Sequence, residues 1–125
     1  MPLKKCLLVT DDPDDHQAFT EAVAEHSQKA VVLVILDSER AHEFLEEGTL
    51  IPDYIFLDLS MHGMRINSFL KSLRNNDGLK QIPTVVYGDE ANFNLIQDKS
   101  DLIFFDKEYN FLELRTFLSQ FFKSD

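Results

Sequence analysis

Five short apolar runs, each followed by a segment with helical spacing, leave this chain few ways to fold. The runs lie near residues 5–9, 31–36, 54–58, 84–87 and 102–106, and the helical segments near 13–26, 39–47, 66–75, 91–98 and 109–123. Val31-Val32-Leu33-Val34-Ile35-Leu36 is apolar at every position. A strand with one wet face alternates polar and apolar residues. Uninterrupted runs suit strands covered on both faces, as in a parallel sheet. Parallel neighbours need a crossover, and a helix follows each run here. The expected class is α/β, a doubly wound five-stranded parallel sheet in (βα)5 order.

Local signals agree. Asp12 can cap the first helix, with Pro13 at its first position, where a missing N–H costs nothing. Phe19, Ala22 and Val23 then share a face. Ser38 can cap the second helix, and Gly48 stands just past its end. Asn110 can cap the last helix, whose Phe111, Leu114, Leu118 and Phe121 form a core stripe. Leu112, Phe117 and Phe122 fall outside that stripe, as core or as a patch for a second copy. At 125 residues, with 11 Phe, the chain is expected to be one domain over residues 1–125 with a proper core. It shows no linker or repeat, and no attached output domain is expected.

Charge narrows the partners. A formal net charge of −10 repels phosphate backbones and anionic lipid, so neither nucleic acid nor membrane is expected as a ligand. Lys4 and Lys5 lead into only four apolar residues, too few for a signal segment, so the expected location is cytoplasmic. Cys6 is the one cysteine and reads as a buried structural thiol. His16, His26, His42 and His62 show no ligand spacing and read as surface residues, with His62 near the site.

The chemistry gathers where three runs end. Asp58 ends Tyr54-Ile55-Phe56-Leu57 and begins a loop, the position at which open α/β sheets hold their ligands. Asp11 and Asp12 follow Cys6-Leu7-Leu8-Val9, and Lys107 follows Leu102-Ile103-Phe104-Phe105. Acids at two strand ends and a base at the third are the parts of a small metal-and-phosphate site. The bland alternatives are a loop-capping Asp58, a solvated Asp11 among Asp12, Asp14 and Asp15, a helix-capping Asp12, and an Asp58–Lys107 ion pair.

Four segments in this order resemble the receiver domain of two-component response regulators, of the stand-alone kind. They are Leu7-Leu8-Val9-Thr10-Asp11-Asp12-Pro13-Asp14-Asp15-His16, Pro52-Asp53-Tyr54-Ile55-Phe56-Leu57-Asp58-Leu59-Ser60-Met61-His62-Gly63-Met64, Ile82-Pro83-Thr84-Val85-Val86-Tyr87, and Phe104-Phe105-Asp106-Lys107. The resemblance spans nearly the whole chain and implies a flavodoxin-like fold. It implies phosphoryl transfer to Asp58 from a histidine kinase, a phosphotransfer protein or a small phosphodonor. It further implies Mg²⁺ held by Asp11, Asp58 and the backbone carbonyl of Ser60, with Lys107 pairing with Asp58 or a phosphoryl oxygen. Signalling would pass to an unknown downstream protein through contacts on the fourth and fifth helices, from a monomer or weak homodimer.

The chain departs from the family pattern at several positions. In the register that fits Pro13 and Phe19, the acid pair falls on Thr10 and Asp11, so one acid has become threonine. A shift by one would make the pair Asp11 and Asp12. Gly88 stands where a Ser or Thr would bond the phosphoryl group. Glu108 replaces the proline after the lysine, so the cis peptide that proline favours is not expected. His62 replaces a loop proline, while the aromatic switch position is Phe104. Two other readings therefore stand beside the phosphoacceptor: a pseudo-receiver that binds partners without phosphorylation, and a phosphatase with an aspartyl-phosphate intermediate. The last would want an acid two residues after the nucleophile, where Ser60 stands.

Overall fold

A computed structural model describes residues 4–26, 30–106 and 111–122, the side chain of Phe111 excepted. The elements are β1 (Lys4–Val9), α1 (Pro13–His26), β2 (Ala30–Ile35), α2 (Ser38–Glu47), β3 (Tyr54–Asp58), α3 (Ile66–Arg74), β4 (Thr84–Gly88), a 3₁₀ helix (Glu90–Leu95), β5 (Leu102–Asp106) and α4 (Phe111–Leu118). All strand pairs are parallel, in the order β2-β1-β3-β4-β5. The chain is the doubly wound α/β fold that its periodicity demands.

Strand alternation sorts the core into two layers. Leu7, Val9, Ile55, Leu57 and Val86 face Ala41 and Leu45 of α2 and Phe69, Leu70 and Leu73 of α3. Cys6, Leu8, Phe56, Val85 and Tyr87 face Phe19, Ala22 and Val23 of α1 and Leu114 and Leu118 of α4. Phe19 lies edge-on to Phe56 at 5.4 Å between ring centres, a favourable geometry for the π quadrupoles. Cys6 is fully buried, and desolvation pushes its thiol well above the ordinary range, as a structural thiol requires.

Several local expectations need correction. The 39–47 helix begins at Ser38, but its cap is Asp37, whose Oδ1 accepts the N–H groups of Glu39 at 2.7 Å and Arg40 at 3.3 Å. Ser38 instead reaches the Gly63 carbonyl at 3.3 Å. Gly48 ends the helix as expected, at φ 69°, with its N–H on the Leu45 carbonyl. The expected helix at 91–98 is the 3₁₀ turn instead. Asn92, Phe93 and Asn94 are weak helix formers, and α3 ties down the chain beyond them. Asn67 donates to the Leu95 carbonyl at 3.0 Å and accepts the Gln97 N–H at 2.8 Å, while Arg74 donates to the carbonyls of Asp98 and Ser100, each at 2.9 Å.

The last helix stops at Leu118. The N–H groups of Phe121 and Phe122 both fold back on the Leu118 carbonyl, which breaks the 3.6-residue period. That turn carries Phe122 fully into the core, edge-on to Tyr54, although it lay outside the sequence stripe. Phe117 stacks on Phe105 at 4.3 Å, whereas Leu112 is exposed. The run at 31–36 packs on both faces, Leu33 and Ile35 on one core layer and Val32 and Val34 on the other, but β2 is an edge strand, so its side chains are only partly buried, and Leu36 lies exposed beyond its end. His26 is half-buried, with Nε2 2.6 Å from the Arg115 carbonyl. Asn110 lies outside the described residues.

Candidate active site

The order β2-β1-β3 reverses direction between β1 and β3, so their carboxyl ends open a crevice between diverging connections. Asp58 is the last residue of β3 and is almost fully buried beside this crevice. An ionised carboxylate so placed must be hydrogen-bonded. Its Oδ2 accepts the Thr10 hydroxyl at 2.7 Å, and its Oδ1 accepts the Ser60 hydroxyl at 2.7 Å and the Ser60 N–H at 3.0 Å. The loop-capping geometry and a preset acceptor geometry thus coincide in one side chain.

Thr10 is fully buried just past β1, its N–H on the Ile35 carbonyl at 3.2 Å. Its hydroxyl oxygen accepts the Asp12 N–H at 3.2 Å while donating to Asp58. Asp11 faces solvent, and its Oδ2 accepts the His62 N–H at 3.3 Å, linking the β1–α1 and β3–α3 connections. Asp12 accepts the Asp14 N–H at 2.9 Å, and its carbonyl takes the His16 N–H, so it caps α1 ahead of Pro13. Thr10 and Ser60 meet on Asp58, Asp11 meets the His62 amide, and the Asp12 side chain bonds the first turn of α1.

Gly88 ends β4 and is buried. A Cβ there would lie 3.0 Å from the Leu59 Cβ, because the Leu59 N–H bonds the Tyr87 carbonyl at 2.8 Å and draws the β3–α3 loop close. Glycine therefore fits for a packing reason as well as lacking a hydroxyl. Phe104 is half-buried on β5, its ring 4.9 Å from that of Phe93. Glu90 is exposed at the start of the 3₁₀ helix. Lys107 and Glu108 lie outside the described residues.

Sequence reading missed two groups. Asp15, counted only among the acids that crowd Asp11, is buried, and its Oδ2 accepts the hydroxyl of the fully buried Tyr87 at 3.1 Å. Its position four residues before Phe19 was the available signal, since residues so spaced share a helix face. Burial pushes the Tyr87 phenol far up, and the negative charges of Asp58 and Asp15 push it further.

Among the described residues, no group of three or more His, Cys, Asp or Glu side chains is placed to hold a metal ion. The oxygen donors of Asp11, Asp58 and the Ser60 carbonyl do fit a hard cation such as Mg²⁺, which keeps several waters and needs only one or two carboxylates. Thr10 in place of an acid makes that set less negative. Beside Asp11 an open groove of about 580 Å³ runs between α2 and α3, bordered by Asp37, His42, His62, Arg65 and Phe69. Among the described residues, no helix is long and apolar enough to cross a membrane.

No family model matches the sequence, and no curated protein matches it. Solved structures match over nearly the whole chain. The phosphorylated cyanobacterial phytochrome response regulator RcpA is 24% identical, with a TM-score of 0.80, over 96% of this chain and 94% of that one. The chemotaxis response regulator CheY4 of Vibrio cholerae is 20% identical, with a TM-score of 0.76, over 94% and 98%. The Mn²⁺-bound response regulator Rcp1 is 24% identical, with a TM-score of 0.76, over 98% and 96%. The chain has the receiver fold of these response regulators, in the flavodoxin-like class.

Proposed function

We propose that this chain is a single-domain receiver of a two-component system or phosphorelay, accepting a phosphoryl group on Asp58. The observation that carries this is a carboxylate at the end of the central strand, beside the switch point, with the Thr10 and Ser60 hydroxyls on its two oxygens. The receiver fold of its structural neighbours supports the same reading. An Asp58 oxygen attacks phosphorus on a phosphohistidine. The O–P bond forms as the N–P bond breaks, and the imidazole leaves with the electron pair and takes a proton. Asp58 becomes an acyl phosphate.

The surrounding residues orient this step. Ser60 fixes Oδ1 and Thr10 fixes Oδ2, so the carboxylate meets the donor in one rotamer. Asp11 and Asp58 with the Ser60 carbonyl would hold Mg²⁺, which when bound offsets charge on the phosphoryl oxygens. Lys107 is the proposed cation for those oxygens. The chain acts on no further substrate. Its partners are a histidine kinase or phosphotransfer protein and a downstream protein, met without nucleic acid or membrane in the cytoplasm, as a monomer or weak homodimer.

One observation favours the pseudo-receiver instead: Gly88 brings no hydroxyl to the site, and the Leu59 Cβ crowds the place of its side chain. Intact-protein mass after incubation with acetyl phosphate and Mg²⁺ separates the two. One phosphoryl adduct on the parent and none on Asp58→Asn is expected. No adduct, under conditions that load a control receiver, would leave a phosphorylation-independent binding module.

A further inference from the structure

We propose that Tyr87 and Asp15 form a second read-out of Asp58, carrying a change at that carboxylate through Thr10 into the first turn of α1. Where the change is phosphorylation, this rests on the function proposed above.

The path is a line of buried hydroxyls between two buried carboxylates. Thr10 and Tyr87 are fully buried, and Asp58 and Asp15 nearly so. The Thr10 hydroxyl donates to Asp58 Oδ2 at 2.7 Å, and the Tyr87 hydroxyl donates to Asp15 Oδ2 at 3.1 Å. Asp58 pairs in register with Tyr87 on the next strand, and Tyr87 shares the α1 face of the sheet with Leu8 and Phe56, two residues before Thr10 and Asp58, so the Thr10 and Tyr87 hydroxyls flank the same carboxylate. Each hydroxyl has a single proton, and in this arrangement both protons are held by carboxylates at the two ends.

A change at Asp58 removes that balance. An acyl phosphate oxygen, or the amide of an asparagine, is a poorer acceptor for Thr10 than a carboxylate oxygen. The Thr10 proton then turns to the phenol oxygen. A phenol that accepts one hydrogen bond donates a stronger one, so Thr10→Tyr87→Asp15 becomes a cooperative chain ending on α1. The rigid Tyr87 ring, packed at 5.2 Å against Phe19 of the same helix, ties that response to the α1 backbone. Position 88 lies on the other side of this geometry: Gly88 offers no hydroxyl, whereas Tyr87 offers one on the α1 face of the sheet. A carboxylate and a phenol in this layer replace what apolar side chains would fill at lower desolvation cost, and they connect the site to a helix.

The test is the set of backbone amide NMR shifts of Asp14, Asp15 and His16. They are compared between parent and Asp58→Asn, and again with Tyr87→Phe in both backgrounds. Asp58→Asn is expected to move these amides more than those of α2, and Tyr87→Phe to reduce the movement at least twofold. Equal movement with and without the phenol, or no movement at α1 in either background, overturns the relay. Asp15→Asn, which keeps side-chain volume, supplies the same comparison if Tyr87→Phe folds poorly. Acetyl phosphate separates the two proposals. A silent α1 on a protein that carries the adduct refutes the relay alone. A Tyr87-dependent response to Asp58→Asn, on a protein that never takes phosphate, refutes the phosphoacceptor alone.

Discussion

Replacing Thr10 by aspartate restores a second acid at the site and should destabilise the protein until a cation arrives. The Thr10 hydroxyl lies 2.7 Å from Asp58 Oδ2, in a fully buried position. Removing that charge-assisted bond, as Thr10→Val does, costs about 1.5–3 kcal/mol. Thr10→Asp adds repulsion. Two unit charges about 4 Å apart at an effective dielectric of about 20 repel by ~4 kcal/mol. Protonation offers little escape, because moving a carboxyl from about 3.9 to above 7 costs ~1.4 kcal/mol per pH unit, again about 4. Thr10→Asp is therefore expected to lose roughly 5.5–7 kcal/mol in EDTA, more than Thr10→Val. Mg²⁺ at a hundred times its dissociation constant should return ~2.7 kcal/mol. The assay is urea denaturation followed by circular dichroism, with EDTA or Mg²⁺, on parent, Thr10→Val and Thr10→Asp. A Thr10→Asp protein as stable as the parent in EDTA would refute the buried contact. An equal response to Mg²⁺ in parent and Thr10→Asp would refute the oxygen-donor site.

Three more outcomes follow from the same geometry. Asp37→Ala should cost about 1 kcal/mol by removing the α2 cap, while Ser38→Ala should cost less than about 0.5, both read from urea midpoints. Gly88→Thr should overpack against the Leu59 Cβ by about 1–3 kcal/mol, and Gly88→Thr with Leu59→Gly, which removes that Cβ, should be more stable than the sum of the single changes. Cys6 and Tyr87 both titrate higher folded than unfolded, so their contribution is full below the unfolded pKa values and is lost as pH rises. Stability should fall by ~1.4 kcal/mol per pH unit above about pH 8.5, and twice as steeply above about pH 10. Tyr87→Phe should remove the second slope, measured by urea titration across that range, and an unchanged slope would contradict the buried phenol.

The fold was legible because continuous apolar runs admit few arrangements, and Asp58 because it ends one of them. What escaped was decided by contacts between distant segments. Asn67 and Arg74 hold residues 95–100 from α3, and no pattern within 91–98 announces that. Asp37 outcompetes Ser38 by one position, which propensity cannot resolve when both residues are good caps. Asp15 was counted with the acidic run, whereas helical phase with Phe19 places it inside. Tyr87 was passed over because its partner comes from another element, 72 residues away in sequence. Of the site, Thr10 shows the value of choosing a register by neighbours: Pro13 and Phe19 placed it beside Asp58.

The exposed edge of β2 has a colloidal consequence. Ala30-Val31-Val32-Leu33-Val34-Ile35 is a β-branched, chargeless strand, and among the described residues it pairs on one side only, with β1. Neither a proline nor a lysine within it blocks a second copy from adding there. The guard is long-range: a net charge of −10 keeps copies apart. That guard thins as added salt shortens the screening length from about 10 Å at 0.1 M to about 3 Å at 1 M, or as acid neutralises the carboxylates. The surplus of acid thus bears on how closely copies of this chain can meet along an open edge.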